Sequence, residues 1–268
     1  MVPDVVYLSP HLDDAVLSCG ASIHRQAQAG RGVLVLTIFS GSPSPPDISP
    51  LAAQLHVRWG GLANPMAVRR REDDEASRLL HAHCWRLEYL DAIYRHDGHS
   101  FLYERDDDLF GSLHPSDLEL ATRVADSILE ICSGQQPQLF APLGVGNHVD
   151  HQLVREAVLT LRGTFRKVVF YEDYPYVEVP GALTQALEGI CVDAWESQIR
   201  GFGEECLTAK IDAIATYASQ VHVLFESAEM MATRVRDYTA ALSSEQDYGE
   251  RYWFLAADKM LNAGLRPA

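Results

Sequence analysis

Val33-Leu34-Val35-Leu36-Thr37-Ile38-Phe39 is the longest strongly apolar run in the chain, broken only by Thr37. Such a run, without a polar residue at every second position, reads as a strand covered on both faces. Both faces of a sheet are covered when helices cross over it, so strands and helices should alternate on either side of this run. Upstream, Val5-Val6-Tyr7-Leu8 reads as a first strand and Ala15 to Ala29 as a helix that Gly30 ends. Downstream, Val68 to His81 carries Ala76, Leu79 and Leu80 at helical spacing, and Trp85 to Leu90 alternates as a third strand. Leu118 to Cys132 sets Leu120, Val124, Ile128 and Ile131 on one helical face. A fourth strand at Leu139-Phe140-Ala141-Pro142, a helix from Val149 to Leu161 and a fifth strand at Val168-Val169-Phe170-Tyr171 follow. The order predicts an α/β fold: a Rossmann-like, doubly wound, mostly parallel sheet with right-handed crossovers.

After about residue 175 the pattern changes. A mixed segment precedes helical stretches near Leu207–Tyr217 and Ser227–Leu242 and a strand at Tyr252–Ala256. With no internal repeat and no interdomain linker, residues 1–268 read as one domain, a core at 4–175 carrying a C-terminal α+β extension at 176–268. Two long loops follow strands, Ser40-Gly41-Ser42-Pro43-Ser44-Pro45-Pro46 after the second and Tyr94 to Pro115 after the third. Open α/β sheets bind ligands at the carboxyl ends of their strands, so both loops are expected to wall a substrate site.

Composition narrows the function. The 268 residues hold 22 Lys+Arg against 37 Asp+Glu, a net charge of −15, with 47% hydrophobic residues. That is a globular composition, and it lacks the basic clusters that nucleic-acid backbones or anionic membranes require. The apolar runs fall far short of the ~20 residues of a membrane-spanning helix, and Met1-Val2-Pro3-Asp4 has no signal-peptide character. Five cysteines (Cys19, Cys84, Cys132, Cys191, Cys206) form no CxxC pair, so neither a zinc ribbon nor a disulfide framework is indicated. The expectation is a soluble, cytoplasmic protein with a small-molecule substrate; a homo-oligomer is compatible with the sequence, which does not set the oligomeric state.

The chemistry concentrates at two strand-to-helix turns. Ser9-Pro10-His11-Leu12-Asp13-Asp14 follows the first strand and puts one imidazole and two adjacent carboxylates above the sheet edge. Helix capping is the competing use of these aspartates. Gly144-Val145-Gly146-Asn147-His148-Val149-Asp150-His151 follows the fourth strand, with two imidazoles three apart and a carboxylate between them. In a doubly wound sheet both turns open on the same edge, so the clusters can meet. Two imidazoles and a carboxylate make a three-ligand set with an open position, as a catalytic zinc site requires. Bound zinc brings the pKa of its water to about 7, and an uncommitted carboxylate nearby could act as general base.

Pro-His-Leu-Asp-Asp-Ala-Val-Leu-Ser-Cys-Gly (10–20) together with His-Val-Asp-His (148–151) resembles the paired motifs of the PIG-L/LmbE-like zinc de-N-acetylases. Arg69-x-x-Glu72, Leu90-Asp91, Lys210 and Tyr217-Ala218-Ser219-Gln220 also look like family positions. The resemblance implies that His11, Asp14 and His151 bind the metal, and that Asp13 is the general base that returns a proton to the leaving amine. It implies that His148 stabilises the oxyanion, that Asp150 orients an imidazole, and that Arg69 and Asp91 contact the sugar. Zinc is the implied cofactor, although a His₂Asp set suits Fe²⁺ as well. The implied reaction is hydrolysis of an N-acetyl or related acyl group from an amino-sugar-containing small molecule, releasing acetate and a free amine. Leu12 and Ala15 depart from the commoner Pro and Glu of the motif without removing a ligand; they mark a divergent subgroup.

Alternatives stand beside that reading. An amidase of thiol-sugar conjugates could use the same scaffold, and so could a non-catalytic sugar- or metal-binding protein. His96-Asp97-Gly98-His99 has His-x-x-His spacing but no partner motif and reads as loop. Arg69-Arg70-Arg71 followed by Glu72-Asp73-Asp74-Glu75 reads as an i,i+4 salt-bridged face with Arg69 inward. Asp106-Asp107-Asp108 lacks EF-hand spacing, and Cys19 reads as a small buried residue.

Overall fold

The computed structural model describes residues 3–44, 48–132, 134–188, 195–243 and 247–255. Cys191, Ala256 and the Pro45-Pro46 end of the first long loop lie outside them. In chain order the elements are β1 (Val5–Ser9), α1 (Asp14–Gln28), β2 (Val33–Thr37), α2 (Pro50–Arg58), α3 (Pro65–Leu79), β3 (His83–Arg86), α4 (Asp106–Leu109) and α5 (Leu118–Ile131). There follow β4 (Gln138–Pro142), α6 (Val149–Thr160), β5 (Lys167–Tyr171), α7 (Ala182–Glu188), β6 (Trp195–Phe202), α8 (Glu204–Ala215), α9 (Ala218–Phe225), α10 (Ala228–Ala241) and β7 (Tyr248–Leu255).

The strands form a seven-stranded sheet in the order β3-β2-β1-β4-β5-β7-β6. The first five are parallel, and β7 runs antiparallel to both β5 and β6. Side chains alternate across a strand, and β1 divides accordingly. Val5 and Tyr7 join Val33, Val35, Phe140 and Val169 in one cluster, covered by α1, α8 and α10. Val6 and Leu8 join Leu36, Leu139, Ala141 and Phe170 in another, covered by α5 and α6. Each fully buried large apolar side chain contributes roughly 1.5–3 kcal/mol, so two filled faces explain the near-continuous apolar character of β1 and β2. The strand order reverses between β1 and β4, where an open α/β sheet has its ligand crevice. A third cluster caps that end of the sheet and includes Leu12, Trp59, Met66, Tyr94, Tyr103 and Val149.

The differences from the sequence reading lie in the edges and loops. β3 ends at Arg86 instead of reaching Leu90, because the parallel ladder gives way to an antiparallel bridge between Phe39 and Glu88. Helix α2 lies just past the loop at 40–46, in a stretch where the sequence reading assigns no element, started by Pro50 and by Ser49 Oγ, which accepts Ala52 N at 2.9 Å. Strand β6 is half exposed at the sheet edge and so lacks an apolar signature. Among the described residues the charged run on α3 shows no i,i+4 ion pair; its one pair along the helix is Arg78 with Glu75, i,i+3. Arg70 donates to Ser40 O, Glu72 accepts from Ser219, and buried Asp73 accepts from Arg86 and from Tyr217 Oη. Those contacts fasten α3 to β3 and α9. Among the described residues no helix is long and apolar enough to cross a membrane.

Candidate active site

The turn after β1 is pinned by its own hydroxyl. Ser9 Oγ donates to His11 O at 2.6 Å and accepts from Ala15 N at 3.0 Å. Asp14 opens α1 and accepts His11 N at Oδ2, 2.8 Å away. Asp13 occupies the N-cap, yet its side chain makes no capping hydrogen bond. Capping, the ordinary use of an aspartate there, is not where this carboxylate goes.

The turn after β4 supplies His148 and His151, and the rings of His151 and of His11, from the turn after β1, are each held at their outer nitrogen by a carboxylate. His151 Nδ1 meets Asp173 Oδ1 at 2.7 Å, and Asp173 Oδ2 accepts Gly144 N and Val145 N, both at 2.8 Å. His11 Nε2 meets Asp150 Oδ2 at 2.8 Å. A ring nitrogen that donates to a carboxylate leaves the other with a lone pair. Those inner nitrogens, His11 Nδ1 and His151 Nε2, each lie 3.3 Å from Asp14 Oδ2. Ligands at ~2.0–2.1 Å from one tetrahedral ion sit about 3.3–3.4 Å apart, so each of these two imidazole–carboxylate separations suits a shared divalent cation. His148 also brings a ring nitrogen within 4.8 Å of those of His11 and His151. A second grouping of His11, Asp91 and Asp150 satisfies the same distance, but Asp150 is already bonded to Arg95 Nη1 (2.6 Å) and Ala92 N (3.0 Å).

His148 differs in what its Nδ1 meets. It caps α6 and accepts Asp150 N at 3.2 Å, so the neutral ring carries its proton on Nε2. Burial, reinforced by His11, pushes its pKa well below the usual value and keeps it neutral. Burial also raises the Asp13 carboxyl to about 6, against the opposing pull of Arg69. Burial disfavours the charge on Asp14 as well, but His151 and His11 overcome it and hold that carboxyl well below the ordinary range.

Arg69 is buried against the ring of Trp59, 4.9 Å from its centroid, with Nη2 3.5 Å from Asp13 Oδ1. Its buried Nε has no hydrogen-bond partner among the described residues. Asp91 Oδ1 accepts Ile93 N, and Oδ2 lies 3.6 Å from His11 Nε2. An aromatic rim closes the other side. Phe110, 42% exposed, stands edge-on to His148 at 5.4 Å and meets Tyr176 at 6.1 Å. Tyr176 packs 6.0 Å from His151, and a Cβ on Gly146 (φ +88°) would fall 2.8 Å from Tyr176 Cβ. Glycine at 146 is what admits this ring.

All eight sequence-derived positions, His11, Asp13, Asp14, Arg69, Asp91, His148, Asp150 and His151, are buried around this crevice. His96 and His99 are exposed on the loop, Asp106-Asp107-Asp108 forms α4 rather than irregular loop, and Cys19 is buried. Sequence reasoning missed Asp173, Arg95, Trp59, Phe110 and Tyr176. Only Asp173 had a signal: it lies two residues past β5, on the same sheet edge as the two motifs.

The profile of the GlcNAc-PI de-N-acetylases (PIG-L) matches residues 6–161, more than half of the chain. The chain belongs to the PIG-L family. A PIG-L relative from Niallia circulans, 2'-N-acetylparomamine deacetylase, is 28% identical over 76% of this chain and 84% of its own. The zinc-inhibited form of teicoplanin deacetylase Orf2 superposes with a TM-score of 0.81 at 30% identity, covering 93% of this chain and 96% of that one. The A40926 pseudoaglycone deacetylase Dbv21 superposes at 0.73 with 28% identity, covering 94% and 97%. Each of these PIG-L relatives is named a deacetylase, of 2'-N-acetylparomamine, of teicoplanin and of the A40926 pseudoaglycone respectively.

Proposed function

We propose that this PIG-L protein is a zinc-dependent N-deacetylase acting on an N-acylated amino sugar within a small glycoconjugate. The observation that carries the reading is one carboxylate oxygen, Asp14 Oδ2, 3.3 Å from the inner nitrogens of both His11 and His151, directly after Asp13, whose side chain makes no capping hydrogen bond. His11, Asp14 and His151 would hold the cation. The zinc-inhibited relative supports zinc as its identity, and an N/O donor set is also compatible with Fe²⁺. When bound, zinc supplies Lewis-acid polarisation of the acyl carbonyl and lowers the pKa of an attacking water to about 7.

The protein's own groups supply the rest. Asp13, steadied by Arg69, takes a proton from the water as its oxygen bonds the acyl carbon. The His148 Nε2–H donates to the carbonyl oxygen as negative charge grows there. When the C–N bond breaks, the proton on Asp13 passes to the departing nitrogen, leaving acetate and a free amine. Asp150 and Asp173 hold His11 and His151 in orientation, while Arg69 and Asp91 face the sugar. Replacing Asp13 by Asn should reduce turnover by about 10²–10⁴-fold while elemental analysis still finds one equivalent of zinc. Near-normal amine release from that variant, across a panel of N-acetylated amino sugars that the wild type cleaves, would overturn the assignment.

We also propose a reducing, cytoplasmic setting, which the free thiols of Cys19, Cys84, Cys132 and Cys206 support. The chain is proposed to act as one domain, since β6 and β7 extend the same sheet as β1.

A further inference from the structure

The loop between β3 and α5 does more than edge the crevice. From Arg95 a buried polar chain runs straight to the metal-facing imidazole. Arg95 Nη1 meets Asp150 Oδ1 at 2.6 Å, and Asp150 Oδ2 meets His11 Nε2 at 2.8 Å. In the other direction Arg95 Nε donates to Asp117 Oδ2 at 2.9 Å, which also accepts Tyr103 Oη at 2.9 Å. Tyr103 Oη accepts His114 N at 3.0 Å, and Arg95 Nη1 also reaches Leu90 O. The guanidinium is packed between the rings of Phe39 (5.2 Å) and Tyr103 (5.5 Å). Arg95, Tyr103, His114 and Asp117 all belong to this loop and its exit into α5.

Asp150 is fully buried, and a buried carboxylate needs a partnered cation and satisfied oxygens. Arg95 provides the cation and satisfies Oδ1, while His11 Nε2 and Ala92 N meet Oδ2. The planar fork fits that task better than a lysine would, because one guanidinium spans two carboxylates in fixed geometry. The same loop carries Phe110, which touches His148, and its backbone is tethered by Asn147 Nδ2 to Phe110 O (2.8 Å) and by Gln152 Nε2 to Gly111 O (2.8 Å). The ordered loop and the orientation of His11 are therefore one hydrogen-bonded unit.

We infer that Arg95 is a positioning residue that couples the loop at 93–116 to the metal centre through Asp150 and His11. The inference rests on the ligand role proposed for His11. The consequence is reciprocal: whatever orders the loop tightens metal binding, and metal binding orders the loop.

Zinc titrations of the purified full chain test this with three variants. Replacing Arg95 by Met should weaken zinc affinity about 10–100-fold, the usual cost of losing an outer partner of a ligating histidine. Arg95→Lys should recover part of that loss, and Co²⁺-loaded protein should show a shifted absorption spectrum in both. Arg105→Ala, which removes an exposed pair with Asp108 on the same loop, should bind zinc as the wild type does. Zinc should also slow hydrogen exchange over residues 95–117 in the wild type and not in Arg95→Met. If Arg95→Met fails to fold by circular dichroism, Arg95→Lys carries the comparison. Wild-type zinc affinity and an unchanged cobalt spectrum in the folded Arg95 variants would overturn the coupling. A wild type that binds no zinc would instead overturn the ligand assignment on which it rests.

Discussion

His148 caps α6 and His151 lies on its first turn, and one atom decides that they present opposite chemistry. At His148 the Nδ1 accepts a backbone N–H, which leaves a proton on Nε2; at His151 the Nδ1 faces Asp173, which leaves a lone pair on Nε2. A donor is wanted at a growing oxyanion and a lone pair at a cation. Replacing His148 by Ala should therefore lower kcat by about 10²–10³-fold, the range for losing one oxyanion donor, with zinc content unchanged. His151→Ala should lose the metal itself, and a full zinc equivalent by elemental analysis in that variant would contradict its ligand role. The imidazoles and carboxylates of the two motifs were legible because their spacing at strand-to-helix turns is informative. Arg95 was not, because a single charged residue carries no periodicity and its partner lies 55 positions away; Asp173, 22 positions from His151, offered only its place just past β5.

At the scale of elements, α1 must hold Asp13 and Asp14 still, and an ion pair inserted at its middle helps it do so. Lys210 Nζ on α8 donates to Ser18 O (3.1 Å) and pairs with Glu250 Oε1 on β7 (2.9 Å). Glu250 in turn accepts Ala21 N and Ser22 N, groups that a helix ordinarily bonds within itself. Gly20 permits the close approach: a Cβ there would fall 2.9 Å from Lys210 Cγ. Lys210 is 1% exposed, so Lys210→Met strands a buried carboxylate and should cost about 3–5 kcal/mol of unfolding free energy, read from denaturant melts. The sequence singled out Lys210, while its partner 40 residues later on β7 had no pattern to reveal it. The central strands were legible for the opposite reason, since burial on both faces writes a continuous apolar run and the half-exposed edge strand β6 has none.

At the scale of the whole molecule, the apolar framework and the polar crevice are separable. The two large clusters fill the faces of the sheet, and the site residues sit at its carboxyl end beyond them. The carboxylates there are also paired with Arg69, Arg95 and imidazoles of the chain itself. A chelator should therefore abolish amine release while leaving the far-ultraviolet circular dichroism unchanged, and added zinc should restore turnover. The metal still stabilises by binding only the folded state. At a free concentration 100 times Kd that amounts to about 2.7 kcal/mol, or roughly 5–10 °C in Tm for a chain of this size. Calorimetry with and without zinc checks the figure. Loss of the sheet on chelation would mean that the cation is part of the framework, and the separation of core from crevice would fail with it.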